Sequence, residues 1–196
     1  PGGRTLTVRT PGRTYRDIHI PFRGAHQGQN AACALASVEA LIGPLPEDLV
    51  RTAWAAVSNP GRFEVFPGAP PIVVDVAHNP HGVSALTAQL AEEFAGRDAI
   101  VVIGTNRHKD VTGMLERLRP SARTIITTRA SGAPSLPAEE LAAIARTTGF
   151  SDIEAVADAR KAVEVALGRA RAGDVVVCTG SHYWIGEIYP ELRTLV

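Results

Sequence analysis

The sequence predicts an α/β protein with a Rossmann-like, mostly parallel sheet and flanking helices, and three observations lead to this fold class. From residue 62 onward, short β-branched runs alternate with amphipathic segments of helical periodicity, as expected for a doubly wound sheet. Polar residues directly follow several of these runs, as they do where parallel strands bind ligands. With 45% hydrophobic residues among 196, the chain can also form a buried core.

The first sixty residues are organised differently. Residues 6–9 and 15–20 alternate apolar and polar side chains around Pro11-Gly12, which predicts a β-hairpin. Two helices are expected next, at residues 31–42 and 47–57, because segments of helical periodicity are bounded there by Gly and Pro. This part of the chain therefore lacks the β–α alternation that follows.

A turn at Asn59-Pro60-Gly61 is the expected domain boundary. Residues 1–60 look like the tail of a preceding domain, whereas residues 61–196 form one α/β domain. Its strands are short β-branched or aromatic runs, and its helices have a 3.6-residue apolar period. In chain order we expect strands at residues 63–66 and 72–75, a helix at 82–94, a strand at 99–103, a helix at 111–118, a strand at 124–127, helices at 138–148 and 159–172, a strand at 174–178 and a last helix after Gly180.

The composition argues against several classes of partner. Lys and Arg number 20, as do Asp and Glu, so the formal net charge is +0 and nothing favours nucleic acid. No apolar run reaches transmembrane length and no signal-peptide pattern is present, which predicts a cytoplasmic protein without membrane contact. Cys33 and Cys178 are far apart and fit neither a disulfide framework nor a zinc site, so we expect two buried free thiols.

The most informative segment runs from Val73 to Pro80. An apolar strand ends there in Asp75, His78 and Asn79, directly before a predicted helix. Asp75 suits ribose hydroxyls or a metal ion, both of which need a charged acceptor, but Asp is also a good helix N-cap. Because three polar groups converge on one loop, we favour a ligand site over a purely structural role.

Two further strand ends carry polar residues of the same kind. The first is the loop Gly104-Thr105-Asn106-Arg107-His108-Lys109-Asp110, and the second is Thr179-Gly180-Ser181-His182. Gly180 permits close approach of the backbone, and Ser181 offers a hydroxyl and an N–H at a helix start. Since parallel strands end at one edge of a sheet, the three loops should line one crevice.

Arg62 and the histidines each allow two interpretations. Arg62 follows a tight Pro-Gly turn and suits a phosphate, because its planar guanidinium donates two bonds to one oxyanion; the alternative is an ordinary surface arginine. A metal site could form if four histidines met in the crevice, but their spacings match no standard zinc pattern, so we predict no metal ligands. These four are His78, His81, His108 and His182.

Several well-known motifs are missing from the sequence. It contains no G-x-G-x-x-G after the first strand of the α/β domain, which argues against a dinucleotide-dependent dehydrogenase. It also contains neither the phosphate-binding loop G-x-x-x-x-G-K-[ST] nor the nucleophile elbow G-x-S-x-G.

The motifs that are present occur in a recognisable order. Together they resemble the C-terminal portion, including the glutamate-ligase domain, of folylpolyglutamate synthase / dihydrofolate synthase, a branch of the Mur ligase superfamily. The Pro-Gly-Arg and Asp-x-Ala-His-Asn-Pro elements are specific in combination. The matching segments are His26-Gln27-x-x-Asn30, Pro60-Gly61-Arg62-Phe63-Glu64, Asp75-x-Ala77-His78-Asn79-Pro80, Lys109-Asp110 and Gly180-Ser181.

The resemblance implies an ATP-dependent amide ligase of folate biosynthesis and one-carbon metabolism. Such an enzyme adds glutamate to a folate or dihydropteroate carboxylate through an acyl phosphate, with ATP and Mg²⁺ as cofactors. By resemblance, residues 1–60 are a hairpin-plus-helices remnant of the central ATP-binding domain, and residues 61–196 are the glutamate-ligase domain. The family's phosphate loop and metal ligands lie upstream, so the chain alone should be inactive without that missing domain.

The resemblance also implies roles for six residues. Asn30 would face the adenine, Arg62 would contact the ATP phosphates and Asp75 would bind the ribose. The expected catalytic residues come from the three strand-end loops and are His78, Lys109 and Ser181. Of these, His78 and Ser181 would help to position nucleotide or glutamate.

Three departures from the family pattern keep two alternatives open. Val76 stands where Gly is usual, His108 stands where Asp is common, and His182-Tyr183-Trp184 replaces a more aliphatic run. One alternative is a ligase of the same superfamily with a non-folate substrate. The other is a stand-alone module that binds an amino acid or nucleotide, or regulates a ligase.

Overall fold

The computed structural model describes residues 2–132 and 134–194, so the first position of the predicted first domain and the last two of the second lie outside it. The chain divides between Arg62 and Phe63 into two compact units. This division lies slightly after the boundary expected at Pro60-Gly61. Each unit has a hydrophobic core of its own.

The first unit consists of a hairpin and two helices. Strands β1 (Arg4–Arg9) and β2 (Thr14–Ile20) pair in antiparallel fashion, and helices α1 (Ala25–Ile42) and α2 (Glu47–Ala55) follow. The apolar residues that alternate along β2 are buried, as the sequence pattern predicted, and Tyr15 among them is fully buried. A small core therefore forms between the hairpin and the helices.

Helix α1 begins at Ala25, six residues before the predicted start, which corrects the sequence interpretation. His26, Gln27 and Asn30 therefore lie within its first turns rather than in a loop before it. Gly28 and Asn30 lower the local helix propensity, but burial of Gln27 and of Ala31 one turn later fixes the segment as helix. The helix start predicted from the local sequence was therefore too late in the chain.

One surface of the first unit is apolar and exposed. Ile42 and Leu49 are 71% and 54% exposed. Together with Val38, Trp54 and Val57 they line an open groove of about 390 Å³ along α1 and α2. A continuous apolar surface of this kind is typical of a contact region.

The second unit is built on a six-stranded sheet with strand order β3-β4-β8-β5-β6-β7, in which only β3 is antiparallel to its neighbour. The predicted α/β fold with a mostly parallel sheet is thus confirmed. Its elements are β3 (Glu64–Phe66), β4 (Ile72–Asp75), α3 (Pro80–Glu93), β5 (Ala99–Ile103), α4 (Val111–Leu118), β6 (Ala122–Thr127), α5 (Ala138–Thr147), β7 (Ile153–Ala155), α6 (Ala159–Arg169), β8 (Val175–Thr179) and α7 (His182–Leu192).

The three central strands end at the same level. Thr179 at the end of β8 pairs with Asp75 of β4 on one side and with Ile103 of β5 on the other. Residues 99–103 and 175–179 are completely buried, because helices cover both faces of the sheet. Continuous β-branched runs are expected for strands buried on both faces. The loops after β4, β5 and β8 therefore start side by side at one edge.

Two expectations about this chain were wrong. The three-residue edge strand β7 was missed, because a short run that contains Glu154 has little apolar periodicity. Cys33 is exposed on α1, whereas Cys178 is buried in β8, where burial raises the pKa of its thiol to about 12.

Within the described residues, no helix combines the length and apolar character needed to cross a membrane.

Candidate functional site

A cleft of about 230 Å³ lies where the loops after β4, β5 and β8 meet. It contains residues from all three loops, as the strand-end argument predicted. The three predicted catalytic residues, His78, Lys109 and Ser181, all line it. The remaining lining residues are Asn106, His108, Gly180, His182 and Tyr183.

Asp75 connects the end of β4 to two neighbouring segments of backbone. Its Oδ1 accepts a hydrogen bond from Ala77 N at 2.8 Å, and its Oδ2 accepts one from Phe63 N at 2.9 Å. Phe63 has a φ of 45°, which a side chain other than Gly rarely adopts. The carboxylate therefore stabilises an unfavourable turn, and its proposed ribose contact stays a prediction.

The helix after this loop is capped by Asn79 and not by Asp75. Asn79 Oδ1 accepts a hydrogen bond from Gly82 N at 2.8 Å, and Pro80 occupies the first position of α3. Asn at the N-cap followed by Pro is a favourable helix start. This result corrects the alternative in which Asp75 capped the helix.

His78 is half-buried at the edge of the cleft. Its Nδ1 lies 3.1 Å from the carbonyl oxygen of Val76, so we assign the proton to Nδ1 and leave Nε2 as an acceptor in the neutral ring. The ring centroid of His182 lies 5.7 Å away. The contact with the backbone thus leaves Nε2 as the ring nitrogen without an assigned proton.

The loop after β8 combines a special backbone conformation with a helix start. Gly180 has a φ of 105°, and a Cβ at this position would contact the Gly104 carbonyl oxygen and approach Ile103 Cγ1 to 2.9 Å. Ser181 caps α7, and its Oγ accepts a hydrogen bond from Tyr183 N at 3.2 Å. The hydroxyl keeps its own proton, which it can donate to a ligand.

Trp184 joins two of the strand ends beneath the cleft. It is fully buried, and its Nε1 donates to the carbonyl oxygens of Gly104 and Thr179, both at 3.1 Å. The indole therefore satisfies backbone groups at the ends of β5 and β8 simultaneously. From the sequence, this tryptophan was only a departure from the family pattern.

The loop after β5 supplies a cation and a carboxamide. Lys109 is half-buried, and Asp110 beside it caps α4 by accepting from Gly113 N at 2.9 Å. The side chain of Asn106 is buried in the cleft wall. No carboxylate is among the cleft residues that the structure describes. The cleft therefore suits an anionic group.

We expect replacement of Gly180 by Ala to destabilise the second unit by roughly 1–3 kcal/mol, because the added Cβ overpacks the site and the backbone remains at a positive φ. Urea unfolding followed by circular dichroism measures the change. Gly186→Ala in α7 is the matched control, since a Cβ there has open space and removal of a helical Gly is stabilising by about 0.5–1 kcal/mol. Equal stability of the two variants would contradict the steric argument.

The two other predicted nucleotide-binding residues belong to the first unit. Asn30 is exposed on α1, and its Nδ2 donates to Gln27 Oε1 at 3.1 Å. Arg62 is half-buried at the end of the unit, between Gly61 and Phe63, both at positive φ. Their contacts with adenine and phosphate remain predictions.

The histidines do not form a metal site in the described part of the chain. Three of them, His78, His108 and His182, line the cleft, whereas His81 does not. Among residues 2–132 and 134–194, no group of three or more His, Cys, Asp or Glu could hold a metal ion. Mg²⁺ in particular prefers carboxylates and other oxygen ligands. These residues therefore do not fit a Mg²⁺ site.

Comparison with known proteins agrees with the fold. The family model described as Mur ligase, glutamate ligase domain, matches residues 61–182. A dihydrofolate synthase/folylpolyglutamate synthase of Mycobacterium tuberculosis is 39% identical over 171 residues, which are 84% of this chain and 35% of that protein.

Two solved structures extend the comparison. Mycobacterium tuberculosis folylpolyglutamate synthase complexed with ADP and AMPPCP has a TM-score of 0.89 and 36% identity, covering 98% of this chain and 46% of that one. Bifunctional folylpolyglutamate synthase/dihydrofolate synthase from Yersinia pestis, complexed with AMPPNP and Mn ion, has a TM-score of 0.79 and 27% identity, covering 93% and 42%. The chain thus spans less than half the length of these relatives.

A parallel α/β domain with its cleft at the carboxyl ends of the strands is typical of a nucleotide- or amino-acid-binding enzyme domain. The chain belongs to the Mur ligase family, through the family's glutamate ligase domain. Its relatives within that family include dihydrofolate synthases and folylpolyglutamate synthases, one of them solved in complex with ADP and AMPPCP. The resemblance inferred from the motifs is therefore confirmed.

Proposed function

We propose that this chain is the C-terminal part of an ATP-dependent ligase that adds glutamate to a folate-type carboxylate. The cleft at the ends of β4, β5 and β8 is the observation that carries the proposal. It presents the Lys109 ammonium and the Ser181 hydroxyl, with no carboxylate among its described residues. This arrangement complements the carboxylates of glutamate. Its volume of about 230 Å³ is below the roughly 300–1,000 Å³ of drug-sized ligand sites, so a small ligand fits it.

In the proposed reaction this chain binds and orients the incoming amino acid. Lys109 and Ser181 would bind carboxylate oxygens of glutamate by charge-assisted hydrogen bonds, and the N-terminus of α7 would favour the same negative charge. His78 Nε2 would accept a hydrogen bond from the ligand. Holding the nucleophile in place contributes to the rate by removing translational and rotational freedom before reaction.

We further propose that the first unit is the end of a preceding ATP-binding domain, and that this domain supplies most of the contacts to ATP and Mg²⁺. The short coverage of the relatives supports this idea. So does the apolar groove along α1 and α2, which is a suitable contact surface for further protein. Arg62 and Asp75 would then bind phosphate and ribose from this chain. We call the longer protein the complete ligase.

The complete ligase tests the proposed function directly. ADP release should require both a folate-type substrate and L-glutamate, and the product should carry one additional glutamate by mass spectrometry. Release of ADP with glutamate but with a different acceptor would favour the alternative of a non-folate ligase. No glutamate-dependent ADP release with any acceptor would refute ligase activity.

For the 196-residue chain alone, we expect calorimetry to show saturable binding of L-glutamate and no tight binding of ATP–Mg²⁺. The cleft residues for glutamate are present, whereas the sequence has no phosphate-binding loop. Tight ATP binding by the isolated chain would instead favour a stand-alone nucleotide-binding module.

A further inference from the structure

Asn106 lines the cleft and carries a buried polar atom that no group among the described residues satisfies. The residue is only 9% exposed and lines the cleft. Its side-chain Oδ1 is buried and has no hydrogen-bond partner within the part of the chain that the structure describes. A buried acceptor without a donor is unfavourable, so proteins rarely retain one unless a ligand or water satisfies it.

The loop does not need the Asn106 side chain for its conformation. The carbonyl oxygen of Asn106 accepts a hydrogen bond from Lys109 N at 3.1 Å, and the residue forms an isolated backbone bridge with Ser135. Next to it, Thr105 O accepts from Leu136 N at 2.8 Å. Backbone contacts therefore hold the segment, and the carboxamide is available for another purpose.

The other groups of the cleft show which ligand atom would use this acceptor. Lys109 is a donor only, and Ser181 Oγ already accepts one backbone hydrogen bond. Among the described side chains that line the cleft, Asn106 alone has a carbonyl oxygen, and none has a carboxylate. A ligand with an amino group as well as carboxylates would find here an acceptor in addition to His78 Nε2.

The two ends of a carboxamide are nearly equal in size. A half-turn about χ2 exchanges Oδ1 and Nδ2 in the same space, and this terminal torsion is broad and roughly two-fold. Asn106 can therefore present Oδ1 to an amino group in the cleft without repacking its surroundings. A bound ligand with a donor at this point would select that orientation.

We propose that Asn106 Oδ1 accepts a hydrogen bond from the α-amino group of the amino-acid substrate and selects an amino acid over a dicarboxylate without an amine. This inference rests on the proposed function, because it names one contact of the glutamate that the cleft would bind. Asn106 orients the nitrogen that becomes the amide, while Lys109 and Ser181 bind carboxylate oxygens.

The test compares L-glutamate with glutarate, which has the same two carboxylates but no amino group. Affinities for the 196-residue chain are measured by titration and NMR chemical shifts, which detect weak binding. We expect Asn106→Leu to weaken L-glutamate binding by about tenfold or more, the effect of losing one hydrogen bond to a charged group. Its affinity for glutarate should change by less than about twofold, because glutarate does not use that bond.

Thr105→Val is the matched control. Thr105 is adjacent and 1% exposed, and its Oγ1 is also buried without a partner in the described structure, but it does not line the cleft. This variant should leave both affinities unchanged. If Asn106→Leu fails to fold, Asn106→Ala takes its place. The wild-type chain provides a second test, because it should bind L-glutamate more tightly than glutarate.

The outcomes separate this inference from the proposed function. Equal weakening of both ligands by Asn106→Leu, or no weakening of either, would overturn the role of Asn106 while leaving glutamate binding intact. Equal affinity of the wild-type chain for the two compounds would overturn it as well. Failure of the wild-type chain to bind L-glutamate at all would refute the proposed function, and this inference with it.

Discussion

Replacing Arg62 with Ala in the complete ligase is expected to lower kcat by at least about 100-fold, which is the typical effect of losing one donor to developing transition-state charge. Arg62 lies between Gly61 and Phe63, both at positive φ, so the backbone on each side of it has an unusual fixed conformation. A guanidinium on such a turn is well suited to bind a phosphate through two hydrogen bonds. The measurement is ADP formation at saturating substrates.

Two further variants make the Arg62 experiment specific. Arg62→Lys keeps the charge but loses the planar pair of donors, so it should restore only part of the activity. Arg146→Ala removes an exposed arginine from α5 and should leave kcat unchanged. Arg62 lies outside all three hydrophobic cores, so circular dichroism should show an intact fold. Unchanged kinetics of Arg62→Ala would refute the phosphate contact.

Replacing Trp184 with Ala should destabilise the second unit by about 3–5 kcal/mol, as expected for removal of a buried aromatic side chain. The side chain is fully buried, and its Nε1 donates to both Gly104 and Thr179. Truncation would leave a cavity and remove the indole donor from both carbonyl oxygens, of which Thr179 O keeps a hydrogen bond from Gly104 N at 3.3 Å. Urea unfolding monitored by circular dichroism measures the loss of stability. The stability of Trp184→Phe should lie between those of Trp184→Ala and the wild type.

The second tryptophan provides a control for this experiment. Trp54 is half-buried in the first unit and packs against Phe22, with ring centroids 6.2 Å apart. Trp54→Phe retains an aromatic ring in that contact and should leave the stability of the second unit unchanged. A loss below about 1 kcal/mol for Trp184→Ala would contradict the structural role of the indole, because such a value is typical of lesser changes.

The strand-end loops show how far local sequence reasoning extends. His78, Lys109 and Ser181 were predicted to share a crevice because each follows a β-branched run, and all three line one cleft. The prediction that these loops meet was correct because parallel strands present their carboxyl ends at one edge of the sheet, whatever the order of the strands. The chemical roles of these three residues remain predictions.

Asp75 and Asn106 show where such reasoning ends. Asp75 was interpreted as a ligand residue or a helix cap; Asn79 is the cap, the Asp75 carboxylate accepts hydrogen bonds from Phe63 N and Ala77 N, and its ligand role remains a prediction. Asn106 lies in the loop after β5, and no role was predicted for it, because nothing in the local sequence indicates that its Oδ1 is buried without a partner among the described residues. An excess of polar residues at one strand end was the only available signal.

By itself, the sequence determined the succession of strands and helices, the family and the three polar loops, because periodicity, turn residues and short motifs are local properties. Only the tertiary structure decided that β8 lies between β4 and β5 and that Trp184 joins two strand ends. It also decided that Asn106, rather than Asp75, lines the cleft. These features depend on contacts between residues far apart in the chain, where burial and hydrogen bonding override local preference.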